Sequence, residues 1–263
     1  MWTLTHAITL FPTLIVLAEL AFLIGYLLKD KNEMIRSIPL QLIAAALIIM
    51  ELIKQVRSFD ANGVYDKYSL PMHFCSLFLY MLPLHSFFRT KPRPIIDSLT
   101  VMLTASLIVN MLMMPANIYG ADNVRQMFQN YGSFHTVVFH NLVIFYGMLT
   151  ISLKAYKFNI KRDVIVSLIF LAAYVIIATV FSYTLKTNFH NLYQCNIDFI
   201  RNFIDMLKEK MGNLGWTIQV LYVSLLFIMT LVMCIASYFA AYGVDRLIAL
   251  ISRKSKNKAL ENV

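Results

Sequence analysis

Charge is what this sequence has least of. Asp, Glu, Lys and Arg make up 14% of its 263 residues, where a water-soluble domain carries about 25%. The shortfall excludes an ordinary water-facing surface. The other available solvent is lipid, in which long apolar runs are required, and 59% of the chain is hydrophobic. Cysteine is scarce as well. Cys75, Cys195 and Cys234 are the three present; none forms a CxxC pair, and an odd count excludes a fully paired disulfide framework. No basic residue precedes the first apolar run, which contains Glu19 and is followed by Lys29. A cleaved secretory leader has the opposite pattern, so Met1 onward reads as mature protein. No linker or low-complexity tract interrupts the chain, so residues 1–263 are expected to form a single integral membrane domain.

What is present is a series of apolar segments of bilayer length. They cover roughly 8–28, 37–55, 70–88, 94–114, 133–155, 163–185 and 216–243, and a span needs about 20 predominantly apolar residues. The expected fold is all-α: a polytopic membrane helical bundle of about seven transmembrane helices. Pro71, Pro83 and His85 interrupt the third segment and soften its ends. Between 186 and 215, Ile200, Phe203, Ile204, Leu207 and Met211 recur at helical spacing. Asp198, Arg201, Asp205, Lys208 and Glu209 fill the other face. This pattern predicts an amphipathic helix around 198–211, capped by Asn196 or Asp198 and lying on the interface or over the bundle mouth.

The net charge of +9 would raise nucleic acid as a partner of a soluble protein. Here the basic residues lie between apolar runs and report topology and lipid headgroups instead. No nucleic acid partner is expected. One set of connections, with the C-terminal tail, holds 15 Lys and Arg and the alternate set holds 8. The richer set belongs in the cytoplasm. That places the N-terminus outside, the C-terminus inside and the 186–215 connection on the outer side. The expected location is the cell membrane, multi-pass, most simply a bacterial plasma membrane.

Ionisable groups inside spans are costly and are functional candidates. They are Glu19, Glu51, His73, Cys75, His85, Asp97, His135 and His140, with Asn110 and Asn141 as neutral companions. The topology puts Glu51, His73, Cys75, His135 and His140 in one outer layer, and His85 and Asp97 near the other surface. On a helix, residues two apart differ by about 200° and residues five apart by about 140°. One histidine from each helix is thus free to face Cys75, and His140 matches its depth best. A nearby imidazole would give Cys75 thiolate character, and Glu51 or Asn141 would orient that imidazole. The bland alternative is equally concrete: Cys in an apolar helix acts as a small hydrophobe, and His bonds between helices. No His pair has i,i+4 spacing, so no metal and no cofactor are expected. Cys195 is a partner for Cys75 if the outer loop folds inward.

The segment Leu70-Pro71-Met72-His73-Phe74-Cys75-Ser76-Leu77 resembles the Leu-Pro-x-His-x-Cys-Ser signature of YwaF-like bacterial integral membrane proteins. Phe134-His135 followed by Phe139-His140-Asn141 is similar to the paired histidines of that family. Thr187-Asn188-Phe189 and Leu214-Gly215-Trp216 are weaker matches; the Trp-Pro-Trp-like start of the last span is reduced here to Trp216. The family is distantly similar to eukaryotic transmembrane protein 164, described as an acyltransferase acting on phospholipid acyl chains through a Cys and a His. The resemblance implies Cys75 as the nucleophile that carries a thioester, His140 as base, and His73 beside the site, with His135, Glu51 and Asn141 supporting or lining it. The implied partners are membrane lipids as acyl donor and acceptor, in an acyltransferase or lipid hydrolase. Two other functions fit the same residues: a small-solute or proton-coupled transporter with a polar outer cavity, and a non-catalytic membrane scaffold.

Overall fold

The computed structural model describes residues 3–88, 93–194, 198–211 and 216–261, without the side chains of 117, 198, 199, 211 and 252–261. Helices α1 (Leu4–Leu28) and α2 (Glu33–Arg57) open the chain. A short helix α3 (Leu77–Phe87) and α4 (Arg93–Met113) follow. Two single-turn pieces, α5 (Ala116–Tyr119) and α6 (Ala121–Arg125), lead into α7 (Tyr131–Ser152). Then come α8 (Ile160–Leu185), α9 (Asp198–Met211) and α10 (Trp216–Glu261). Among the described residues there is no strand, only an isolated bridge between Phe59 and Tyr65. The all-α reading of the sequence is borne out.

Among the described residues six helices are long and apolar enough to cross a membrane: α1, α2, α4, α7, α8 and α10 through Ile251. Their starts carry local caps. The Thr3 side chain accepts from the His6 N–H while the His6 ring answers the Thr3 N–H. Asn32, Asn130 and Asn159 cap α2, α7 and α8 in the same sense. Each cap satisfies a backbone donor that the first helical turn leaves open.

The third expected span, 70–88, is where structure and sequence pattern part. Its helix covers only 11 residues, about 16 Å. Pro71 is the cause. It offers no N–H and holds Leu70 off the helical region, so Leu70 (φ −55°, ψ 138°) is extended. His73 (φ −71°, ψ 156°) is extended too, and a 3₁₀ turn at Phe74–Ser76 leads into α3. The helical angles expected between His73 and Cys75 therefore do not apply, because His73 precedes the helix. At the other end of the chain, α10 runs far past the expected limit of 243, as one helix of 46 residues.

Helix α4 is the centre of the bundle. Every residue from Ser98 to Leu107 is buried, which requires neighbours all round. Those neighbours are α3, α7, α8 and α10, while α1 and α2 lie against α7. Peripheral α1 turns Ile8, Ile15, Val16, Phe22, Leu23 and Leu27 outward. Glu19, an expected candidate, lies on this outward side of α1 and away from the core. The amphipathic pattern at 198–211 is a helix as expected. Its Ile200 and Ile204 are buried in the main core, so it is docked on the bundle, with Phe203 and Met206 partly exposed. Asn196 and Cys195 lie outside the described residues.

A polar knot ties three helices together at one end. Asp163, 1% exposed, accepts from Ser98 on α4 at 2.5 Å and from Tyr238 on α10 at 2.6 Å. Tyr156 and the Asn159 N–H also donate to it, and Arg162 pairs with it at 2.8 Å. A buried carboxylate is tolerated only with such a complete set of donors.

Close helix contacts depend on two missing side chains. A Cβ on Gly147 of α7 would sit 2.8 Å from the Thr104 Cβ of α4, and one on Gly25 of α1 would sit 2.9 Å from Ser152. Gly147→Ala is expected to destabilise the protein by about 1–3 kcal/mol through overpacking, read as a lower midpoint of thermal unfolding in detergent. Gly243→Ala, with nothing within 4 Å, should leave that midpoint unchanged.

Candidate functional site

The C-terminal end of α2, residues 58–76, the N-terminal end of α7 and the 186–194 connection gather at the same end of the bundle. Glu51, near the end of α2, is 5% exposed. Its carboxylate accepts from Lys54 at 3.0 Å and Gln55 at 2.6 Å, and its other oxygen lies 3.1 Å from His135 Nε2 on α7. Gln55 extends the network by donating to the Ser69 carbonyl at 2.8 Å and accepting from Tyr65. Tyr131 of α7 donates to the Met50 carbonyl at 2.5 Å. Glu51 and His135 are thus brought together as the sequence placed them. Their role is to weld α2, α7 and the 58–69 turn.

The turn itself is built by short-range chemistry. Asp60 Oδ1 accepts the N–H groups of Asn62 and Val64, and Gly63 takes φ +77°, where only glycine is free of Cβ strain. Chain direction then reverses into Lys67–Ser69, where Asp66 receives the Tyr68 N–H. His73 Nε2 lies 3.0 Å from the Tyr68 carbonyl, and its ring meets Tyr68 and Phe189 edge to face. A carbonyl can only accept, so Nε2 of His73 carries the proton and Nδ1 is left basic.

Cys75 is half-buried and not in a disulfide. It packs against the main core. No hydrogen bond joins it to His140 among the described residues. His140, on α7, turns its Nδ1 to the Thr136 carbonyl at 2.6 Å. By the same logic Nδ1 carries the proton and Nε2 is the basic nitrogen. Asn141 does not orient His140: it accepts from Tyr119 of α5 and donates to the Val137 carbonyl at 2.9 Å. His85 and Asp97 stand at the opposite end of the bundle, 3.3 Å apart, with His85 also against Tyr146.

One residue of this end escaped the sequence reading. His190 follows the Thr187-Asn188-Phe189 match in a connection that folds back between α8 and α10. Its Nε2 lies 3.1 Å from Thr230 Oγ1, about four turns into α10. Its ring stacks on Phe74 at 5.3 Å and meets Tyr174 at 5.8 Å. Tyr174 in turn donates to the Met72 carbonyl at 3.2 Å. The connection is strained: Lys186, His190 and Asn191 have φ of +53°, +49° and +59°, a conformation that costs non-glycine residues about 1–3 kcal/mol each and concentrates at functional sites. Partners on all sides hold it. Asn188 accepts the Tyr193 and Gln194 N–H groups, Tyr222 donates to Asn191, and Phe189 and Leu192 are fully buried.

The chain matches the TMEM164 family over residues 1–238. It belongs to that family. The matched region takes in α1 to α9 and the first half of α10, and therefore the whole of this site. The likeness to transmembrane protein 164 drawn from the sequence is borne out at the family level. No curated protein and no solved structure matches the chain. As a TMEM164-family member with six long apolar helices, it is a multi-pass membrane protein. Among the described residues no group of three or more His, Cys, Asp or Glu is placed to hold a metal ion.

Two outcomes follow from the geometry. Glu51→Gln, which takes the counter-charge from Lys54 and weakens the bond to His135, should cost about 3 kcal/mol of stability, seen as a lower unfolding midpoint in detergent. Nitrogen-15 spectra of histidine-labelled protein in nanodiscs should report His140 as the Nδ1–H tautomer; an Nε2–H signal assigned through loss in His140→Gln would contradict the bond to Thr136.

Proposed function

We propose that the protein is a membrane enzyme of acyl transfer, a lipid acyltransferase or lipid hydrolase, with Cys75 as nucleophile and His140 as base. The observation that carries this reading is a free, half-buried Cys75 on a 3₁₀ turn, at the same end of the bundle as imidazoles whose tautomers leave a basic nitrogen. Family membership supports it, since the matched region contains both residues. The thiol loses its proton to His140 Nε2, and the sulfur attacks the carbonyl carbon of a lipid ester. The ester C–O bond breaks, the alcohol leaves with the proton from His140, and a thioester remains on Cys75. A second lipid hydroxyl, or water, then attacks the thioester, yields its proton to His140 and restores the thiol. His73 stands two residues before the nucleophile, and His135, Glu51 and Asn141 support the site.

The same proposal takes the chain as one membrane domain in a bacterial plasma membrane, N-terminus outside. Lipids of the outer leaflet then serve as donor and acceptor. An acyl-mimetic thiol probe in native membranes should label the wild type and fail to label Cys75→Ser. His140→Ala should slow labelling about 10²–10⁴-fold, the range of a lost general base. Equal labelling of a folded Cys75→Ser variant would refute the mechanism.

A further inference from the structure

At the end of the bundle opposite Cys75, a cavity of about 230 Å³ opens between the first turns of α2 and α4, the last turn of α3 and the residues that follow α7. It has room for several waters, each taking about 30 Å³ in the liquid. Its wall carries three cations, Arg36, Arg93 and Lys154, against one carboxylate, Glu33. Glu33 is already engaged by Arg93 at 2.8 Å, and Arg93 also lies 3.8 Å from Asp97. Arg36 differs: its Nε is buried and has no hydrogen-bond partner among the described residues. A guanidinium N–H shut off from water and from protein acceptors is a costly arrangement that calls for an acceptor. Lys154 forms no ion pair among the described residues, and its backbone is held at φ +51°, just past the end of α7. The first turns of α2 and α4 and the C-terminal ends of α3 and α7 meet at this cavity, so the helix dipoles oppose one another there and the positive charge comes from the side chains.

We propose that this cavity binds a phosphate group. Phosphate fits on two counts. It accepts the fork of a guanidinium such as Arg36, and it neutralises the two cationic charges that Glu33 leaves over. Seated at the water-facing ends of membrane helices, the site is at the level of lipid headgroups, and basic pockets between transmembrane helices take headgroup phosphates in this way. The ligand is therefore an anionic phosphodiester headgroup or a free phosphate. The site is independent of Cys75 and its chemistry.

The test uses the purified full-length protein in a non-ionic detergent, with dioctanoyl phosphatidylglycerol and inorganic phosphate as separate probes, read by native mass spectrometry. The wild type should retain one probe molecule that the double variant Arg36→Gln, Lys154→Gln binds roughly tenfold more weakly or worse. Ala155→Phe, which fills the cavity and removes no charge, should abolish retention even if the double variant fails to fold. Lys210→Gln on α9 should bind as wild type does. Retention of the lipid alone assigns the site to a headgroup; retention of inorganic phosphate as well assigns it to the phosphate group itself. If neither probe is retained, or if the double variant and Ala155→Phe both bind as wild type does, the proposal fails.

Discussion

Non-helical backbone in apolar surroundings has to find hydrogen-bond partners away from water, and this constraint governs the site end of the molecule. Two stretches break the helical rule there, 70–76 and 187–194. Their peptide groups are met by side chains of neighbouring helices and by local ones. Tyr174 and Tyr80 donate to the carbonyls of Met72 and Pro71, Gln55 to Ser69, Tyr222 to Asn191 and Gln219 to Leu192. Phenols and amides thus do the work that i→i−4 bonds do in the spans. The abundance of tyrosine, 14 residues, follows in part from this need and not only from interfacial preference.

Much of the architecture was legible because apolar length and polar interruption are properties of sequence alone. The six long helices follow directly from runs of bilayer length, and the 198–211 helix from spacing that leaves Ile200 and Ile204 on one face. The shared end for Glu51 and His135 followed from counting alternate directions along the chain. What Pro71 does was only half legible. Its presence announced a weak helix end, but not that the chain would stay extended through His73 and place Cys75 on a 3₁₀ turn.

Other features were invisible for a physical reason: they depend on partners far apart in the chain. Asp163 looked like the edge of a span until Ser98, Tyr156 and Tyr238 closed around it. His190 sat in what read as a loop, and loops run over surfaces. A signal was available, since His and Asn are the non-glycine residues most at ease with left-handed backbone and they stand side by side at 190 and 191. Only the fold shows that this pair turns inward to reach Phe74 and Thr230.

The two glycine contacts of α7 have a mechanical meaning. Gly25 lets α1 press against Ser152, and Gly147 lets α4 press against α7 at Thr104. With only hydrogen on one side of each contact, α1, α4 and α7 pack closely, and sliding one helix would drive it into Ser152 or the Thr104 side chain. His140 stands on α7, one of these close-packed helices, whereas Cys75 follows the proline-broken segment, which is held in place by Tyr174 and Tyr80 at the carbonyls of Met72 and Pro71.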